Sequence, residues 1–132
     1  MTAEVDSLIA AFYAAFDNRA GRVPQDGDMT SLFLGHAVIA KQTPTGFETS
    51  TPAQFAAPRV ALLRGGELVD FHEWETACET QVAGDLAVRT SRYEKAGLFN
   101  GEPYRGTGTK FFNLVRTAQG WRILSLAWSD DA

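Results

Sequence analysis

A single cysteine, Cys78, and two histidines, His36 and His72, are all that 132 residues offer to thiol or imidazole chemistry. One thiol cannot close an internal disulfide, and its place in a strand pattern predicts a buried side chain. No metal-ligand spacing links these three residues, so no zinc site is expected. Neither a nucleophile elbow nor a Ser, His, Asp set is present. Basic residues are few and scattered: 12 Lys and Arg stand against 16 Asp and Glu, for a net charge of -4. A nucleic acid needs a basic stripe and an anionic membrane a basic cluster, so neither partner is expected. No apolar run reaches membrane-spanning length, and the opening MTAEVD is acidic where a signal peptide is basic, which predicts a cytoplasmic protein.

What is present is hydrophobic patterning. Of the chain, 45% is hydrophobic, enough for one core and a single domain over residues 1–132. Val5, Leu8, Ile9, Phe12 and Phe16 recur at helical spacing and predict an amphipathic helix over 3–17. Asp28 is a predicted N-cap for a short helix carrying Met29, Leu32 and Phe33, with Gly35 ending it. A short strand is predicted over Ala37 to Gln42, with a return strand over Phe47 to Thr49. Thr51 followed by Pro52 marks a third helix start, and Pro58 predicts a kink or break near Ala56 or Ala57. From Glu67 to Asp130 apolar and polar residues alternate, interrupted at Ala83-Gly84, Asn100-Gly101 and Gln119-Gly120, each suited to a tight hairpin turn. That is a four-stranded antiparallel meander with helices able to cover one face.

Two-residue turns at these pairs set a register. Phe111 then lies opposite Thr90, Asn113 opposite Val88 and Val115 opposite Leu86, with Trp128, Leu126 and Leu124 opposite Phe111, Asn113 and Val115. One face carries Leu86, Val88, Phe111, Val115, Leu124, Leu126 and Trp128 and is the expected core face. Towards the strand ends the same face turns polar through Arg92, Glu94, Thr107, Thr109 and Asp130, joined by Glu73 and Glu75, and a pocket is expected to open there. The other face carries Arg89, Tyr93, Lys110, Phe112, Leu114 and Ile123, too apolar for a wet surface, and predicts a homodimer through the outer side of the sheet. A bulge near Cys78 would turn His72 and Trp74 inward in place of Glu73 and Glu75.

The order helix, short helix, strand, helix, then four long strands resembles the nuclear transport factor 2-like superfamily, which includes ketosteroid isomerase and the SnoaL polyketide cyclases. The residues that carry the resemblance are Phe12 to Asp17 (FYAAFD), Leu32 to Ile39 (LFLGHAVI), Phe71 to Glu75 (FHEWE), Ser91 to Glu94 (SRYE) and Gly106 to Ser129. They are most similar to its small SnoaL-like or DUF4440 members. The resemblance implies an α+β, NTF2-like cone-shaped barrel: a curved antiparallel sheet with three N-terminal helices packed on its concave face. It also implies a pocket between helices and sheet, and dimers through the outer sheet face. Carried over residue by residue, the isomerase base position falls on or near Ala40 and Lys41. The tyrosine position falls nearest Phe12, with Tyr13 beside it, and the second aspartate falls near Phe112 or Asn113. The isomerase residues are therefore absent, no His and Asp pair of the dehydratase kind is evident, and the loop from Asn18 to Gly27 is longer than the family connection.

These readings leave a short set of site candidates. Glu73 and Glu75 are the carboxylates that can serve as a general base, or equally stand in cross-strand ion pairs. Arg92, Asn113, Trp128, Phe12, Lys41 and Thr109 are the expected ligand-binding residues. Asn113 either bonds a neighbour or points at a ligand, because the register leaves its amide no water. Gly106-Thr107-Gly108-Thr109-Lys110 lacks phosphate-loop spacing and a following helix. The expected function is a cofactor-free binding domain holding a mostly apolar or polyketide-like molecule. The alternative is an isomerase, cyclase or dehydratase with a carboxylate base.

Overall fold

The computed structural model describes residues 2–132. Helix α1 (Ala3–Ala14) is followed by a 3-10 turn (Arg19–Gly21), a short α2 (Asp26–Thr30), strands β1 (Phe33–Thr43) and β2 (Gly46–Ser50), helix α3 (Pro52–Arg64) and the long strands β3 (Leu68–Ala83), β4 (Leu86–Phe99), β5 (Glu102–Thr117) and β6 (Gly120–Asp130). The six strands form one curved, unclosed sheet in the order β2-β1-β6-β5-β4-β3. The meander is antiparallel throughout, but β1 runs parallel to β6, with Ile39 beside Leu126 and Lys41 beside Trp128, so the sheet is mixed. The fold is α+β, with the helices drawn from the first half of the chain.

Local signals explain most element boundaries. Thr51 caps α3 through its side chain, with Gln54 returning the bond, and Pro52 occupies the first turn, where its missing N–H costs nothing. The helix continues across Pro58 without the expected break. In α2 the cap is Gln25, and Asp28, the expected cap, is instead the third residue, bonding back to the Gln25 N–H. Gly35 does not terminate that helix; it lies inside β1, which begins two residues earlier at Phe33. Asn18 ties the long loop down: its amide donates to the Leu63 carbonyl at 3.0 Å and the Leu68 carbonyl at 2.7 Å, and accepts from Phe71 N–H at 2.8 Å. Beside it, two hydrogen bonds from the Arg19 side chain hold the Asp17 carboxyl down at about 2.

The inner and outer faces of the meander are the reverse of those expected for β4 and β5. The Asn100-Gly101 turn forms with both residues at positive φ, 50° and 83°, and the β4–β5 pairs are those expected. The other two turns sit one residue away, at Gly84-Asp85 and Ala118-Gln119. In β6 a bulge between the Asn113–Ser125 and Leu114–Ile123 pairs leaves Leu124 as the extra residue. Trp121 and Ile123 therefore share the inner face with Leu126 and Trp128, although strict alternation forbids it. Inward residues are Ala87, Arg89, Ser91, Tyr93, Lys110, Phe112 and Leu114, all buried. Leu86, Val88, Phe111 and Leu124, expected in the core, are exposed. Asn113 faces outward and bonds Ser125 at 2.8 Å. Cys78, expected buried, is exposed.

The core lies between the inner face and α1 with α3. Phe12, with no exposure, is its centre, ringed by Tyr13, Phe16, Phe33, Phe55 and Phe112 at centroid distances of 5.2 to 6.3 Å. No helix is long and apolar enough to cross a membrane among the described residues.

Candidate functional site

A cavity of about 310 Å³ opens between α3 and the inner face of the sheet. Its aromatic and aliphatic wall includes Phe16, Phe55, Leu62, Phe71, Tyr104 and Trp128. Set into that wall are four cations, Lys41, Arg59, Lys95 and Lys110, and two carboxylates, Glu73 and Asp130, with the Tyr93 hydroxyl among them.

Two polar clusters organise the sheet side. Lys110, only 4% exposed, sets its ammonium 3.0 Å from Glu73 Oε1 and 3.3 Å from the centre of the Tyr93 ring. Burial pulls Lys110 below the ordinary lysine range, and the charge of Glu73 opposes that pull. Tyr93 Oη donates to Asp130 Oδ1, which also receives Lys95 Nζ at 3.4 Å. Burial drives the Tyr93 phenol upward, reinforced by Asp130. For Asp130, burial alone would raise the carboxyl, but Tyr93 and Lys95 together hold it below its usual value. Lys95 is raised by Tyr104, Asp130 and Glu73 against the opposing effect of its burial.

Two glycines make this arrangement possible. In the β4–β5 register Tyr93 lies opposite Gly108 and Lys95 opposite Gly106. A methyl group at Gly108 would stand 2.5 Å from Tyr93 Cζ and 2.6 Å from the Ser129 carbonyl. Gly108 therefore lets the hydroxyl end of the Tyr93 side chain cross close over the neighbouring strand.

On the helix side, Arg59 lies with its guanidinium carbon 4.1 Å from the Phe55 ring and 5.4 Å from that of Trp128. Its Nη1 donates to the Phe55 carbonyl at 3.0 Å. Burial lowers its pKa, while Glu73, Glu48 and Asp130 act in the opposite sense from a distance.

Of the expected site residues, Glu73, Lys41 and Trp128 line the cavity. Glu75 faces inward but lies in a separate groove between α1 and β3 with Asp6, Tyr13 and Arg89. There it accepts from Arg89 Nη2 at 2.5 Å and from Ser91 Oγ at 2.6 Å, and Tyr13 Oη reaches Ser91 at 2.7 Å. The alternative inward pair, His72 and Trp74, stands opposite Ala96 and Glu94, stacked ring on ring at 4.4 Å. Phe12 is packed at the core centre behind the cavity wall. Arg92, Thr109 and Asn113 are on the outer side: Arg92 bonds Thr109 at 2.5 Å and Asp131 at 2.9 Å, remote from the cavity-lining set. Sequence reasoning missed Arg59 entirely and assigned Tyr93 and Lys110 to the outer face. The spaced glycines opposite two bulky residues were the available signal. No group of three or more metal-ligating side chains is assembled among the described residues.

No protein-family model matches this sequence, and no curated protein matches it significantly. Solved structures do. A nuclear transport factor 2 (NTF2-like) superfamily protein from Salmonella enterica superposes with a TM-score of 0.79 over 99% of this chain and 91% of that one, at 19% identity. The chain has the NTF2-like fold. An NTF2-like protein with a cystatin-like fold from Novosphingobium aromaticivorans matches with a TM-score of 0.73 at 19% identity, over 96% of this chain and 79% of the other. A candidate dehydratase from the NTF2-like family of Streptomyces avermitilis matches with a TM-score of 0.75 at 16% identity, covering 99% and 96%. The NTF2-like arrangement of helices against a curved sheet is what encloses the cavity.

The glycine requirement yields a graded test. Gly108→Ala meets a fixed ring and a backbone carbonyl, so urea denaturation should show a loss of about 2 kcal/mol or more. Gly106→Ala meets only the far end of the flexible Lys95 chain and should cost less than about 1 kcal/mol. Equal losses would contradict the packing of Tyr93 over β5.

Proposed function

We propose that this chain is a SnoaL-like small-molecule-binding protein whose ligand occupies the cavity between α3 and the sheet. The cavity itself carries the proposal: about 310 Å³, walled by aromatic rings and holding a few fixed polar groups, suits a compact molecule about the size of a fused bicyclic ring. Calorimetry with naphthamide, a neutral flat probe, should give saturable one-site binding. Leu62→Trp should fill the space and abolish it while circular dichroism stays native. Binding that survives this substitution would put the ligand elsewhere and refute the proposal.

The likeness to the Streptomyces candidate dehydratase supports an enzyme reading, in which an isomerase, cyclase or dehydratase would use Glu73 as base. Against it, Glu73 is already ion-paired through Oε1 with the Lys110 ammonium 3.0 Å away. A Glu73 carboxyl titrating near neutral pH by carbon NMR would move the assignment to the enzyme.

The homodimer belongs to the same proposal, with its residues exchanged for those on the true outer face. Leu86, Val88, Phe111 and Leu124 are 43% to 59% exposed on adjacent strands, an apolar area that a second copy would cover. Light scattering should report a folded monomer for Phe111→Asp. Leu114→Asp, a buried site, should unfold the chain. A folded, dimeric Phe111→Asp would remove the interface.

A further inference from the structure

The charges lining the cavity do not cancel. Glu73 is committed to Lys110 and Asp130 to Tyr93 and Lys95, which leaves Arg59 and Lys41 without a carboxylate in ion-pairing distance among the described residues. Arg59 is the informative one. It is a half-buried guanidinium lying against the Phe55 ring and beside that of Trp128, and its side-chain hydrogen bond to the Phe55 carbonyl uses Nη1 alone. The Nε and Nη2 donors have no partner among the described residues, and they form one edge of a planar fork that matches a carboxylate. A cation partly withdrawn from water on an apolar wall, with its free donors still open to the cavity, favours a ligand that supplies its counter-charge. The overall charge of -4 makes this local excess of positive charge more distinctive.

From this geometry we infer that Arg59 is an anion subsite, and that the ligand is a flat aromatic or alicyclic monocarboxylate. Its carboxylate pairs with the Arg59 fork, with Lys41 adding positive field. Its ring lies among Phe55, Trp128 and Leu62. A carboxylate fits better than a phosphate dianion, because a dianion needs a cradle of several donors and this wall offers one guanidinium edge and one lysine. The inference rests on the binding proposal above, since it names the chemistry of the molecule in that cavity.

Naphthoate and naphthamide, which share a ring system and differ in charge, separate the two claims in calorimetric titrations. The wild-type protein should bind naphthoate about tenfold or more tightly than naphthamide. Arg59→Met should remove that preference, and Arg59→Lys should restore part of it. Equal affinities in the wild type, or a preference that survives Arg59→Met, would overturn the anion subsite with the cavity proposal intact. Failure of both probes to bind the wild type would sink both. The wild-type comparison needs no variant, so a poorly folding Arg59→Met leaves the test decisive.

Discussion

The interior of this sheet is charged, and the site depends on that. Arg89, Lys95 and Lys110 project from β4 and β5 towards the helices, where an unpaired ion is unaffordable. Each has a partner delivered from another element: Asp6 of α1 and Glu75 of β3 for Arg89, Glu73 of β3 for Lys110, and Asp130 of β6 for Lys95. These pairs position the strands relative to one another and to α1. The Tyr93 ring, lying over Gly108, brings its hydroxyl to Asp130 and its face to Lys110, joining two of the pairs into one continuous wall. The cavity forms where that wall meets the aromatic side of α3.

This satisfaction is uneven, and the unevenness gives the cavity its character. Around α1 the network is closed: Arg89, Glu75, Ser91 and Tyr13 bond one another and leave little to offer a ligand. Around α3 it is open, because both carboxylates are already engaged while Arg59, beside the Phe55 and Trp128 rings, keeps two donors without a partner among the described residues. The NTF2-like fold supplies the concave space. The excess of cations over carboxylates, on an otherwise acidic chain, is the basis of the proposed preference for an anionic ligand.

Much of the architecture was legible in the sequence because its signals are local. The α3 start at Thr51 and Pro52, the α1 stripe from Val5 to Phe16 and the Asn100-Gly101 turn each depend on residues within one turn of helix or one hairpin. The faces of the sheet were not legible, for two physical reasons. A single extra residue at Leu124 reverses the parity of β6, and nothing in a period-two pattern announces it. Arg89 and Lys110 also make the true inner face look like a solvated one, since a cation reads as exposed until its partner in three dimensions is known. Glu73 reached the site by compensating irregularities: a two-residue slip at the first hairpin, then a bulge between Glu75 and Ala77, gave it Lys110 for company in place of Arg92. Arg59 was unreadable because its neighbours Phe55 and Trp128 are far apart in sequence and meet only in the folded chain.

One proposed arrangement is central: a ring held among Phe55, Trp128 and Leu62, with a carboxylate on Arg59. A crystal structure of the naphthoate complex tests it directly. The expected result is density in the cavity between α3 and the sheet, with both carboxylate oxygens within hydrogen-bonding distance of Arg59 Nε and Nη2. Naphthoate in the groove between α1 and β3, on the outer sheet face, or in the cavity with its carboxylate turned away from Arg59 would contradict it.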